Sequence, residues 1–369
     1  FQAEDGIRDF CLSRGLGDVY KRQSWNTLDK FMKTNTKLIA IAKNEAAYLP
    51  QWIYHHFLIG FDEIEIYIND TTDNSVAICE KIQKNYSNLT FHLADKLRLD
   101  SIKENRSFQI SAYNNSLHHS SDSTHLMALD LDEYLICKNM NESLQSLLER
   151  QSSPDCLSFL WYSDDYSSKK SFSHPLQSEN TIYRMDHVKT ISKLSRKVHS
   201  CSHHNFIYKK EERVINLLGG TIIRLDDNIN TQSRRSKLTK HQLNALSAES
   251  TEPWFVLHCI YKSEEEYLAS LCRGRGHNND QRPLKVNRWG MSPYPFYPQK
   301  PIHWHPSKTR IDQYKIGFEN FIQENRLTEE MHIARNFLKE STNFLADLLR
   351  DQPHLRNDHK KIFAGTKYA

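Results

Sequence analysis

The sequence predicts an α/β protein with a mostly parallel central sheet, on three observations. Short apolar runs alternate with segments of helical period through the first 135 residues. The stretch "THLMALDLDEYL" carries four consecutive apolar residues, Leu126 to Leu129, the mark of a strand covered on both faces. Three of the four runs end on polar clusters, and open parallel sheets bind ligands beyond the carboxyl ends of their strands.

The elements follow in order. "KLIAIAKNE" gives a strand over Leu38 to Ala42 that ends at Lys43-Asn44-Glu45. Leu49, Trp52, Ile53, His56 and Phe57 then share one helix face, which Gly60 stops. In "DEIEIYIND", Ile64, Ile66 and Ile68 alternate with polar neighbours, a strand that runs into the turn formers "NDTTDNS". Ser75 to Tyr86 reads as a helix, "LTFHLA" as a third strand, and Ser107 to His119 as a polar helix. The fourth strand ends on Asp130, Asp132 and Glu133. The clusters Asn44-Glu45, Asn69-Asp70 with Asp73, and Asp130-Asp132 would then share one crevice.

Beyond Ile136 the pattern is less regular. "SLQSLLER" is a short helix, "DCLSFLWYSDDYSSKK" a strand running into an acidic loop, and "KLSRKVHSCSHHNFIY" a basic, histidine-rich stretch. "EPWFVLHCIY" is another strand, followed by a helix through "SEEEYLASLCRGRG". The remainder begins irregular and aromatic and finishes in helices. No internal repeat or low-complexity tract is present.

Composition narrows the function. The chain has 369 residues, 25% of them charged and 38% hydrophobic, with a net charge of +4. These values describe a globular protein with ample core and give no nucleic-acid footprint. No apolar window is long enough to span a membrane, and no leader pattern opens the chain, so a cytoplasmic protein, at most peripheral at the inner membrane, is expected. Its seven cysteines include no CxxC pair, the pattern of reduced thiols. Residues 1–23 resemble the translated read-through of a sequencing adaptor and are set aside from fold reasoning. The expected organisation is a lead-in over 24–36, a domain over 37–276, and an irregular then helical extension over 277–369.

Carboxylates crowded at a strand end repel one another unless a positive charge, usually a divalent cation, lies between them. Asp130-Leu131-Asp132 is a D-x-D pair whose hard oxygens suit Mg2+ or Mn2+ held against a diphosphate. By itself D-x-D arises readily by chance. His258, at the end of the run Trp254 to Leu257, is a candidate third ligand, or equally a histidine bonded to a strand-end carbonyl.

The stretches "LIAIAKNEAAYLPQWIYHHFLIGFDEIEIYINDTTDNS" and "QISAYNNSLHHSSDSTHLMALDLDEYL" resemble GT-A fold glycosyltransferases of family 2 and especially family 92. The shared pieces are the A-K-N-E opening, the W-x-x-H-H helix, the aspartate-bearing turn, the Q-x-x-A-Y-N helix and the D-x-D-E-Y strand end. Farther on, "FVLHCIYKSEEEYLASLCRGRG" resembles the family's closing segment, with Cys259 where an aromatic residue is commoner. The resemblance spans residues 37 to 276 and is specific as an ordered set.

It implies a Rossmann-like layered fold, a nucleotide-diphosphate sugar donor (a UDP-sugar foremost), a saccharide acceptor and an Mn2+ or Mg2+ cofactor. Asn44, Glu45, Asp73, Gln109 and Asn114 would bind the donor, and Asp130, Asp132 and His258 the metal. Other roles are open to them: Asp73 can stabilise its turn, and Asn44 can cap the following helix. For the catalytic base, Asp164 and Asp165 are placed best, although the family's F-G-x-x-G loop is absent there. His203 and His204 read more readily as surface or hydrogen-bonded residues than as ligands.

The expected activity is transfer of a hexose to a glycan or lipid-linked saccharide in bacterial surface polysaccharide or lipopolysaccharide synthesis. Two other readings stay open. "LMALDLDEYL" imitates the nucleophile motif of haloacid-dehalogenase phosphohydrolases, though that motif wants Thr or Val where Tyr134 stands. A glycan-binding protein that keeps the fold without turnover is the third.

Overall fold

The computed structural model describes residues 34–120, 123–150, 154–164, 170–209, 216–219, 246, 251–273, 284–291 and 300–369. Strand β1 (Thr36–Ala42) lies between β2 (Glu63–Ile68) and β4 (His125–Ala128), and β3 (Leu89–Leu93) flanks β2, all paired in parallel. Side chains alternate across a strand, so both faces of β1 need a partner. On one face Leu38, Ala40 and Ala42 pack with Trp52 and Ile53 of α1 (Leu49–Ile59) and with Ile78 and Ile82 of α2 (Ser75–Asn85). On the other, Ile39 packs with Phe108 and Tyr113 of α4 (Phe108–His118). The core on two faces is what the apolar runs require.

The expected α/β layering with a helical C-terminal region is observed, with two differences. A further helix, α3 (Asp95–Lys103), precedes α4. Ser101 is its one buried residue, so it carries no apolar stripe for a periodicity reading to find. The sheet is also wholly parallel only in its first half, running β3-β2-β1-β4-β7-β6-β11-β5; in the second half β11 and β10 (Asn216–Leu218) pair β6 in parallel, while β12 (Ile302–Trp304) pairs β7 antiparallel. Strand β7 (Asn180–Lys193) runs antiparallel to both β4 and β6 (Cys156–Asp164). It joins the parallel half to β11 (Trp254–His258) and β5 (Glu133–Cys137). Parallel neighbours need helical crossovers. Between α5 (Leu144–Arg150) and β11, no helix is found among the described residues, and the strands there pair largely antiparallel.

A small second sheet joins β8 (Val198–Cys201) to β9 (Phe206–Tyr208). Helix α6 (Glu264–Leu271) begins with a full capping box, Ser263 with Glu266. It packs against the amphipathic α8 (Thr328–Asp351), while α7 (Lys308–Glu324) packs on α1, where Tyr54 donates to the carbonyl of Tyr314 at 3.1 Å. Short helices α9 (His354–Asp358) and α10 (Lys360–Phe363) end the chain given, and residues 34–369 fall in one compact unit. No helix among the described residues is long and apolar enough to cross a membrane.

Candidate active site

Because β1, β2 and β4 are parallel, their carboxyl ends emerge along one edge of the sheet. Asn44 and Asp70, just past two of these ends, take left-handed backbone with φ of 52° and 46°, a conformation Asn and Asp tolerate best among residues with a side chain. The chain leaves β4 through Leu129, turns over Asp130 to Asp132, and enters β5 at Glu133, whose N–H donates to the carbonyl of Asp130 at 3.0 Å.

Helix α1 fastens this turn. The Trp52 indole N–H is shared between the carbonyls of Asp130 (3.1 Å) and Glu133 (2.9 Å). His55 Nε2 lies 2.8 Å from the carbonyl of Leu135, while His56 Nε2 accepts the N–H of Leu135 at 3.4 Å. Burial keeps both imidazoles neutral, His55 with a pKa lowered to about 4. The W-x-x-H-H pattern is therefore a brace for the carboxylate turn.

Each carboxylate of the turn has its own environment. Asp130 Oδ1 accepts from the Gln109 amide at 2.7 Å and from the Tyr113 hydroxyl at 3.3 Å. Glu133 is wholly buried, and its Oε2 accepts the Asp130 N–H at 2.9 Å. Lys189 of β7, also buried, reaches Glu133 Oε2 at 3.0 Å and Asp130 Oδ2 at 3.6 Å, and donates to the carbonyl of His203 at 2.9 Å. The positive charge that three neighbouring carboxylates demand is thus supplied in part by the chain itself. Asp132 Oδ2 lies 3.6 Å from His258 Nε2, because the β5–β11 register sets His258 against Glu133. Burial opposes ionisation of Asp132, yet His258, with Arg288 and Lys262, holds it well below the usual carboxylate range. Burial likewise disfavours the imidazolium of His258, and the carboxylates of Asp132, Glu133 and Asp130 outweigh it, raising its pKa.

An open cleft of about 420 Å³ runs along this edge. Of the residues the sequence singled out, Glu45, Gln109, Asp130, Asp132 and His258 line it. The others face elsewhere. Asn44 Oδ1 accepts the N–H groups of Thr72 (2.7 Å) and Asp73 (3.3 Å). Asp73 accepts the N–H of Ala46 at 2.8 Å and of Ser75 at 2.9 Å, so the two side chains tie the β1–α1 loop to the start of α2. Asn114 is bonded to both the N–H (2.8 Å) and the carbonyl (2.9 Å) of Cys201, holding β8. Asp164, 4% exposed, lines a separate cavity of about 60 Å³ with Tyr134, His174 and Lys262. Asp165 lies outside the described residues. His204 is packed edge-on against Trp161 and is kept neutral, foremost by burial and then by Lys189.

Lys189, Tyr113 and a basic group in the cleft, Arg273, Lys285 and Arg288, were missed by sequence reasoning. A lysine inside "YRMDHVKTISK" was the available signal, since a strand interior admits a lone cation only with a partner. For a divalent cation, Asp130 and Asp132 offer hard oxygens and His258 an imidazole nitrogen, a donor set that suits Mg2+ or Mn2+. Among the described residues no three His, Cys, Asp or Glu side chains already converge as a metal cage. A cation would therefore complete its sphere with ligand oxygens or water.

The model of glycosyltransferase family 92 matches residues 39–255, more than half of the chain. The chain belongs to glycosyltransferase family 92. The match contains the carboxylate turn, α1, α4 and β7, whereas His258 and the basic residues Arg273, Lys285 and Arg288 of the cleft lie beyond it. Family 92 membership makes the protein a glycosyltransferase and sets aside the phosphohydrolase reading of "LMALDLDEYL". Solved structures of S. aureus TarS are also similar. One match, at 15% identity and a TM-score of 0.25, covers 39% of this chain and spans only 24% of that one. A second, to TarS 1-349 in complex with UDP, has 12% identity and a TM-score of 0.30, and covers 86% of this chain and 92% of that one. No curated protein matches.

Proposed function

We propose that this family 92 enzyme transfers a hexose from a nucleotide-diphosphate sugar, a UDP-sugar foremost, to a hydroxyl of a glycan or lipid-linked saccharide, as in surface-polysaccharide assembly. The observation that carries the reading is the convergence of Glu45, Gln109, Asp130, Asp132 and His258 on one cleft beyond the parallel strand ends. Glu45 and Gln109 are assigned to the donor. Asn44, Asp73 and Asn114 shape the loops around it, through the backbone bonds described above. Asp130, Asp132 and His258 would hold Mn2+ or Mg2+, which when bound supplies positive charge beside the leaving diphosphate.

In the transfer, the acceptor oxygen bonds to the anomeric carbon as the bond from that carbon to the diphosphate oxygen breaks. The acceptor's proton passes to a carboxylate, to which we assign Asp164, for an acceptor seated in the neighbouring cavity that Asp164 and Lys262 line, or Asp165. The test is a screen of UDP-, GDP- and dTDP-sugars for release of the nucleoside diphosphate, with Mn2+, with Mg2+ and with neither. Release from one donor class, raised by the metal, is expected. No release from any donor under any of these conditions would overturn the reading.

A further inference from the structure

Four lysines and arginines line the cleft that holds Asp130 and Asp132: Lys43, which pairs with Asp70, and the group Arg273, Lys285 and Arg288. Arg273 follows α6 by two residues. Lys285 and Arg288 belong to the segment Leu284–Met291, which is pinned at several points. The Lys285 N–H donates to the carbonyl of Leu271 at 2.8 Å, Gly290 N–H to the Tyr267 hydroxyl at 3.0 Å, and Met291 N–H to the carbonyl of Ala364 at 2.7 Å. Leu284 and Met291 are buried with Tyr267, Leu268 and Leu271. Between these anchors Lys285, Asn287 and Arg288 are presented to the cleft.

The charges do not cancel within the protein. Glu45 pairs with Arg273, Asp132 with His258, and Asp130 and Glu133 with Lys189. That leaves Lys285 and Arg288 with no carboxylate at ion-pair distance among the described residues, and Arg288 Nε is buried with no hydrogen-bond partner. The group also repels itself. Burial and Arg288 lower Arg273 to about 10, and burial with both guanidiniums pushes Lys285 well down. Half-buried like charges of this kind are stabilised by a counter-charge. Two cations without an ion-pair partner of their own favour an anion in the cleft, and the diphosphate bridge of a nucleotide sugar is one. Guanidinium forks match phosphate oxygens in pairs, which adds orientation to attraction.

On the basis of the reading given under Proposed function, we infer that the donor's diphosphate is gripped by Arg273, Lys285 and Arg288, so that it binds without a divalent cation. The metal then matters for turnover and not for holding the donor. In the resting enzyme Lys189 already stands 3.6 Å from Asp130.

The test is calorimetric titration of the full chain in EDTA with inorganic pyrophosphate, UDP and uridine. Wild type should bind pyrophosphate and UDP, with the UDP affinity changed less than threefold by Mn2+. Arg288→Gln and, separately, Lys285→Gln should each weaken pyrophosphate and UDP at least tenfold and leave uridine as in wild type. Arg288→Lys should retain part of the loss-prone affinity. Circular dichroism and Tm identify any variant that fails to fold, and the other variant then decides. Pyrophosphate or UDP that binds only once Mn2+ is added, or binds both glutamine variants as tightly as wild type, overturns the inference. The two readings fail separately. Normal sugar transfer with strictly Mn2+-dependent UDP binding sinks this inference alone. Metal-free pyrophosphate binding that both variants lose, in a protein that releases no nucleoside diphosphate, sinks only the proposed reaction.

Discussion

Glu65 and Glu133 are both buried carboxylates on strands of one sheet, and each has a buried lysine beside it, Lys37 at 2.7 Å and Lys189 at 3.0 Å. Around Glu65 every lone pair is answered. Oε1 accepts from the Tyr67 hydroxyl at 2.9 Å and His92 Nε2 at 2.8 Å, while Oε2 accepts from Lys37 and the Ser116 hydroxyl. Burial pushes this carboxyl up, but the bonds from His92, Lys37 and Ser116 bring it down to about 2. Glu133 has Oε2 occupied and Oε1 buried without a partner, and burial, aided by Asp130, drives it up to about 7 against the pull of Lys189. The first cluster is finished within the protein and builds structure. The second, at the cleft, keeps unmet charge, as sites that must bind and react commonly do.

The largest effect should come from taking away the cation of the unfinished cluster. Lys189→Met leaves Glu133 buried without its cation, beside the half-exposed Asp130, and should cost about 3–5 kcal/mol, the usual range for breaking a buried pair. Urea denaturation measures it. Adding Glu133→Gln to Lys189→Met should recover much of the loss, and a double variant no more stable than the single one would show that the lysine acts by packing alone.

Acid separates the two clusters by sign. Glu65 has a folded pKa below its unfolded value of 4.5, so its contribution is complete above about pH 4.5 and disappears as the pH falls through about 2. The shift corresponds to about 3 kcal/mol. Glu133 has a folded pKa above its unfolded value, so its contribution is complete below about pH 4.5 and is lost as the pH rises through about 7. The stability gap between wild type and Glu65→Gln should therefore narrow on acidification. Relative to wild type, Glu133→Gln should gain as the pH rises from about 5 to about 8. Gaps that stay constant with pH would erase the distinction.

The unfinished cluster was half legible in the sequence. Asp130 and Asp132 announce themselves because an apolar strand ends on them, and His258 because another strand ends there in the same manner. Period and composition suffice for such positions. Lys189 is different: its partner Glu133 lies far off in the chain, and only the antiparallel β4–β7 pairing brings the two together. Nor could the pattern say whether Asn114 would meet a ligand or the backbone of Cys201, since tertiary contacts alone decide that. The basic group was hidden for a further reason. "LKVNRWG" has neither helix nor strand period, and its order comes from anchoring to α6 and, through Met291, to Ala364.

The most direct measurement is sugar-donor turnover in two variants side by side, Asp132→Asn and Glu65→Gln, each with its Tm. The cleft account predicts that Asp132→Asn, which removes one charge beside the leaving diphosphate, loses about 100-fold or more in turnover when assayed while folded. Glu65→Gln should lose several degrees in Tm and, assayed while folded, keep wild-type turnover. Near-normal turnover in Asp132→Asn, or loss of activity that follows stability equally in both variants, would contradict it.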